Sequence, residues 1–188
     1  MGKVVWKPGN MLYPLPVVMV SCRGKDGTDD IITVAWAGTI CSDPPMLSVS
    51  VRKERFSHHL ISETGEFAVN LVTEDLVRAT DFCGVKSGRD TDKFAEMKLT
   101  KGEAQVISAP LIAESPVSLE CRVKEVRELG SHDMFVAEVV SVTADDAYMD
   151  ETGRFDLSLA RPVVYSHGTY YCLGKALGTF GFSVKKKK

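Results

Sequence analysis

No stretch of this chain of 188 residues approaches the ~20 consecutive apolar residues that a membrane-spanning helix needs. The N-terminus also lacks a basic region followed by a clean apolar run, because Lys7, Pro8, Gly9 and Asn10 interrupt it. A cytoplasmic protein with no membrane contact is the expectation. No C-x-x-C pair occurs. The five cysteines (Cys22, Cys41, Cys83, Cys121 and Cys172) are odd in number and widely spaced, which suits reduced thiols better than a zinc site or a disulfide framework. Net charge is small as well. At -2, the chain lacks the broad basic excess of a nucleic-acid-binding domain, so any phosphate site must be local. Only Lys185 to Lys188 form a basic block, which reads as a solvated tail.

The familiar catalytic and nucleotide signatures are missing too. There is no G-x-x-x-x-G-K-[ST] and no G-x-G-x-x-G opening a helix after a strand, which excludes a P-loop or Rossmann reading. G-x-S-x-G is absent, so there is no hydrolase elbow. His58 and His59 are adjacent and lack H-E-x-x-H spacing, which argues against a metal pair. No solenoid period repeats.

What is present is an ordinary globular balance, 44% hydrophobic and 26% charged, arranged as short β-branched runs between turn signals. Val17 to Val20 and Ile31 to Trp36 read as a hairpin about Asp26-Gly27, since glycine accepts the positive φ of a tight turn. After Pro44-Pro45, Leu47, Val49 and Val51 alternate with Ser48 and Ser50, which predicts a strand with one face on the core. Ser57 is positioned to cap a helix ending near Gly65, and Phe67, Val69 and Leu71 alternate with Ala68 and Asn70 in the next strand. A second helix is expected to start at Thr73 and stop at Gly84, followed by a polar loop over Ser87 to Asp92. Ser118 to Leu129 and Met134 to Val142 predict a long hairpin turned at Gly130-Ser131-His132-Asp133. Many strands, few helices and the need to protect strand edges predict a mainly β barrel.

Several groups could carry chemistry. Arg52-Lys53-Glu54-Arg55-Phe56-Ser57 puts cations and a hydroxyl before a helix N-terminus, where an anion is favoured; the competing reading is a solvated charged turn. Thr33, Ala35, Trp36, Ala37, Gly38 and Thr39 combine small residues that let backbone approach a flat ring with hydroxyls for its polar edge, although Trp36 could simply pack. Asn70 opposes the apolar strand face and suits either a ligand's amide or a cross-strand hydrogen bond. Cys83 reads better as a buried structural thiol than as a reactive one. His132, in the hairpin turn, is a candidate proton donor or acceptor beside a pocket, or else an exposed turn histidine.

Taken in order, Thr33 to Thr39, Ser42-Asp43-Pro44-Pro45 to Val51, Gly65 to Leu71, Ser87 to Asp90, Asp92-Lys93-Phe94 and Gly130-Ser131-His132 resemble the flavin reductase-like, FMN-binding split-barrel family. The resemblance covers roughly residues 10 to 170. It implies a single domain over 1–188 with a C-terminal extension from about 171, and a six-stranded Greek-key split β-barrel with a few short helices. It also implies a homodimer with FMN at or near the subunit interface. By position, Trp36 to Thr39 would line the isoalloxazine, and Ser50, Arg52, Arg55 and Ser57 would serve the phosphate and ribityl chain with Asn70 nearby. Ser87 and Lys93 are further phosphate candidates, and His132 would lie near flavin and nicotinamide. Tyr165 to Tyr171 and the glycine-rich stretch after Leu177 are most similar to the flavoredoxin and ferric-reductase branches.

The function implied is an FMN-dependent oxidoreductase taking hydride from NADH or NADPH and passing electrons to free flavin, a ferric complex or a protein. The competing readings are a flavoredoxin-like electron carrier working with redox partner proteins, and a ligand-binding barrel without a redox role.

Overall fold

The computed structural model describes residues 2–184; the Lys185 to Lys188 tail lies outside the described residues. Its strands and helices run in the order β1 (Leu15–Pro16), β2 (Val18–Arg23), β3 (Asp29–Val34), β4 (Ala37–Ser42), β5 (Pro45–Arg52), α1 (Phe56–Thr64), β6 (Glu66–Leu71), α2 (Val77–Val85), α3 (Lys93–Glu96), β7 (Lys101–Gly102), β8 (Leu111–Ile112), β9 (Val117–Glu128), β10 (His132–Ala144), β11 (Val163–Ser166) and β12 (Thr169–Cys172). The Asp-Gly turn between β2 and β3 forms as expected, with Gly27 at φ 85° and Asp26 accepting from the Thr28 amide.

Seven strands pair antiparallel in the order β3-β2-β6-β9-β10-β5-β4. β3 and β4 stand at opposite ends of that order, yet only Ala35 and Trp36 separate them in the chain. The sheet must therefore curl until its ends meet, which makes a mainly β split barrel with a few short helices. The Ser50 amide donates to the Trp36 carbonyl at 2.8 Å, which carries the β4–β5 pairing one step into the bend between β3 and β4. Where the resemblance implied six strands, the sheet has seven, because β4 turns back along β5 beyond the split.

Val20, Ile32, Val49, Phe67, Val69 and Phe135 fill the barrel interior. Phe67 and Phe135 are fully buried, each a stabilisation of ~1.5–3 kcal/mol. β5 has the expected single buried face, with Leu47, Val49 and Val51 inside and Ser48 and Ser50 half-buried. β2, β3 and β6 differ. Val18, Val20 and Cys22 face the interior, while Met19 and Ile31 meet Leu76, Ala79, Cys83 and Phe94 from α2, α3 and the turn before α2. These strands are covered on both faces, so polar residues on them are buried as well.

Two helix ends depart from the sequence expectation. Arg55, not Ser57, occupies the N-cap position of α1, with no side-chain cap bond, while Gly65 closes it at φ 70°. Gly84 lies inside α2 rather than after it; a Cβ there would sit 3.3 Å from that of Thr33, so the glycine lets the helix lie close on β3. The long hairpin forms with His132 already paired as the first residue of β10, opposite Arg52 of β5. No helix among the described residues is long and apolar enough to cross a membrane.

Candidate functional site

At the seam where β3 gives way to β4, a cavity of about 650 Å³ opens beside the barrel. One wall is the bend itself, Thr33, Ala35 and Trp36; a second is the end of β5, Ser50 and Arg52, with Arg55 beyond it; a third is Ser131 and His132. Trp36 remains 37% exposed, so it is a wall of the cavity and not core. Its ring lies within 11° of parallel to that of His132, centroids 6.4 Å apart. The antiparallel register that sets His132 against Arg52 brings imidazole and guanidinium to the same strand ends. Ser131 Oγ lies 2.8 Å from His132 Nδ1, which orients the ring.

Ala37 and Gly38 line an adjoining groove of about 460 Å³ that shares Asn10, Ala35, Trp36 and Ser50 with the main cavity and is walled by Met11, Leu12 and Tyr13. Thr39 lines neither and is exposed on β4. Thr33 lines the main cavity, but its hydroxyl donates to the Thr80 carbonyl of α2.

A smaller cavity of about 270 Å³ shares Ile32 and Arg55 with the first and is bordered by Lys86, Ser87, Gly88 and Arg89. Arg89 donates to the Glu54 carbonyl at 3.1 Å and lies 5.6 Å above the Phe56 ring, which holds its guanidinium at the rim. Ser87 is within the loop, its hydroxyl accepting from the Arg89 amide. Arg55, Lys86 and Arg89 thus surround one small space with three cations, and a phosphate oxygen is the group that suits them. Arg52 faces the larger cavity, with only an exposed contact to Glu54 at 3.3 Å.

Three residues expected at a ligand are engaged by the protein itself. Lys93 is buried and pairs with Asp30 at 2.9 Å while donating to the Ile31 carbonyl. Ser57 is buried and donates to the other Asp30 oxygen. Both belong to the floor of the smaller cavity, where Asp30 neutralises the ammonium. Asn70 is farther away. Its amide donates to the Met19 carbonyl and Ser21, and its oxygen accepts from the Ile112 amide and Ser118, which leaves it wholly structural. Burial pushes the Cys83 thiol up to about 12, against the pull of nearby Lys93, so it stays protonated as a structural thiol.

Sequence reasoning did not select the remaining wall. Asp81 from α2 and Tyr165, Gly168 and Tyr170 from the β11–β12 hairpin face the same cavity. The signal was there: Tyr165 and Tyr170 flank His167-Gly168, whose glycine takes φ 82°, a hairpin turn presenting two aromatics. Lys86 and Arg89 lay beside the selected Ser87.

Comparison with known proteins gives this arrangement its context. Residues 10–174 match the flavin reductase like domain. The structure of flavoredoxin from Desulfovibrio vulgaris (Miyazaki F) superposes with a TM-score of 0.91 at 30% identity, covering 98% of this chain and 100% of that one. Flavoredoxin from Methanosarcina acetivorans gives 0.89 at 28% identity, with 98% and 100% covered. An uncharacterised protein of Archaeoglobus fulgidus is 33% identical over 147 residues, 78% of this chain and 81% of its own length. With the match running through the seam, both cavities and the His132 hairpin, the chain belongs to the flavin reductase-like family of flavin-linked electron-transfer proteins and has its split-barrel fold.

Proposed function

We propose that the protein holds FMN across the two joined cavities and works as an oxidoreductase that uses a reduced nicotinamide. The observation that carries this reading is the sharing of Arg55 and Ile32 as walls of both a ring-sized cavity and a small one edged by Arg55, Lys86 and Arg89. The main cavity lies within the range of ligand pockets, ~300–1,000 Å³. Arg55, Lys86, Ser87 and Arg89 would hold the phosphate, Ser50 and Arg52 the chain between, and Thr33 to Gly38 with His132 the ring. Bound there, FMN would supply the capacity to take a hydride from NADH or NADPH and to release electrons one or two at a time. The protein's own part is orientation and charge. Trp36 and the small residues beside it shape a flat slot, Arg52 favours negative charge within it, and His132 presents a ring nitrogen where a second reactant enters.

A second reading, a flavoredoxin-like carrier without nicotinamide turnover, is favoured by the extent of the overlap with the two flavoredoxin structures. Anaerobic stopped-flow reduction of the FMN-loaded protein separates the two. Rapid bleaching of the flavin band by either nicotinamide supports the reductase, whereas reduction only by a redox protein supports the carrier. A protein that binds no FMN refutes both.

The working unit is proposed to be a homodimer. Val4, Val5 and Trp6 near one end of the chain and Leu177, Phe180 and Phe182 near the other are exposed, a liability that a second copy would remove. Sedimentation at micromolar concentration should give twice the mass of 20.6 kDa; a monomer that still binds FMN tightly would contradict an interface site.

A further inference from the structure

The main cavity is electrically lopsided. Arg52 and Arg55 stand on one side, and Asp81 stands on the wall contributed by α2 and the β11–β12 hairpin. Asp81 is exposed to the cavity and takes part in none of the ion pairs among the described residues. The Tyr170 hydroxyl donates to its Oδ1 at 3.3 Å, and Tyr165 meets the Tyr170 ring edge-on at 5.7 Å, which fixes the phenol from behind. Burial, and then the adjacent carboxylate, pushes the phenol up to about 12, so it stays neutral. With its proton directed at Asp81, the phenol has only lone pairs left to offer, and the carboxylate accepts at both oxygens. Asp81 and the Tyr170 hydroxyl engaged with it can therefore accept hydrogen bonds from a ligand but donate none.

We propose that Asp81, held in place by Tyr170, is a specificity-determining residue that selects a flat second reactant bearing a neutral hydrogen-bond donor, such as a ring carboxamide, and rejects the corresponding ring carboxylate. The proposal rests on the FMN reading above and adds to it a sign preference at the entrance for the second reactant. The physical basis is a difference of affinities. A carboxamide N–H donating to Asp81 gains a charge-assisted bond, whereas a carboxylate at the same position meets a like charge and a Tyr170 proton already given to Asp81.

The test is equilibrium binding of two rings of nearly equal shape, benzamide and benzoate, to the FMN-loaded protein, read from the perturbation of the flavin absorption band. The wild type should bind benzamide more tightly. In Asp81→Asn the ratio of the benzoate to the benzamide dissociation constant should fall about tenfold or more at low ionic strength, and by less near 1 M salt. Tyr170→Phe retains the carboxylate and should keep most of the wild-type preference. FMN bound normally with an unchanged ratio in Asp81→Asn overturns this inference and leaves the FMN reading intact. The same holds for an equal fall in both variants, which would point to packing, and for the failure of either ring to perturb the band. Wild-type protein that takes up no FMN overturns both.

Discussion

Replacing Arg55 with alanine isolates the proposed phosphate site because this side chain alone among the cationic residues borders both cavities. It is half-buried, and none of the ion pairs among the described residues includes it, so its removal leaves no orphaned carboxylate. Arg52 is a less clean target, since its loss would free Glu54, 3.3 Å away, to repel a phosphate. A hydrogen bond to a charged partner contributes ~1.5–3 kcal/mol. At about 1.4 kcal/mol per factor of ten, Arg55→Ala should weaken FMN binding about 10- to 150-fold. Riboflavin has the same ring and no phosphate, so its affinity should change by less than about threefold, the residual packing loss of a long side chain. Quenching of flavin fluorescence on titration into the flavin-free protein measures both constants. Equal losses for the two flavins would refute a phosphate role for Arg55, and tighter FMN binding in the variant would refute the placement altogether.

Three other perturbations test other parts of the structure. His132→Ala should leave the FMN dissociation constant within about threefold while slowing reduction by nicotinamide ~10²-fold in stopped-flow, the scale of a lost orienting or proton-transferring group; wild-type reduction rates would make it an ordinary strand residue. Gly88→Ala would drive a Cβ into Asp30 Oδ1 and to 2.8 Å from Phe56, and overpacking of that kind costs ~1–3 kcal/mol, so the melting temperature should drop by about 2–4 °C per kcal/mol; an unchanged melting curve would show that the loop gives way freely. For Asp29, burial favours the neutral acid, but Arg23 and Lys101 outweigh it and hold the carboxyl below its usual value of ~3.9. Its stabilisation is therefore present above that pH and lost as pH falls through the lower folded value, so Asp29→Asn should flatten the acid limb of a urea-midpoint profile; an acid limb as steep as the wild type's would sink the assignment.

Much of the barrel was legible because its signals are local. Alternation in Leu47, Val49 and Val51, the Asp-Gly turn and the hairpin at Gly130 each need only a few consecutive residues. The cationic turn and the His132 end were legible for the same reason, since one strand end and its turn bring Arg52, Arg55 and His132 to one cavity. Asn70, Ser57 and Lys93 were not, because what decides a polar side chain's fate is a partner distant in the chain. Asn70 accepts from an amide 42 residues away and Lys93 donates to a carbonyl 62 residues away. Gly84 was misplaced by the same limit. A glycine at a helix end and a glycine under a crossing strand look identical until Thr33 is seen against it. The Asp81 and Tyr170 wall depends on a helix and a terminal hairpin meeting across the seam, a juxtaposition with no periodicity of its own.

The order in which the cavity walls leave the ribosome has a consequence of its own. Asn10, Trp36 and Arg55 are made before β5 can find its inner neighbour, which comes only when β10 has been synthesised, and Tyr170 follows later still. At a translation rate of ~5–20 residues per second, the early strands wait several seconds with their apolar faces uncovered. If the cavity holds flavin as proposed, no finished pocket exists until the chain has been made past Tyr170. The flavin could then reward only the closed barrel, so its supply would govern how long the folded protein survives rather than whether its barrel begins to form.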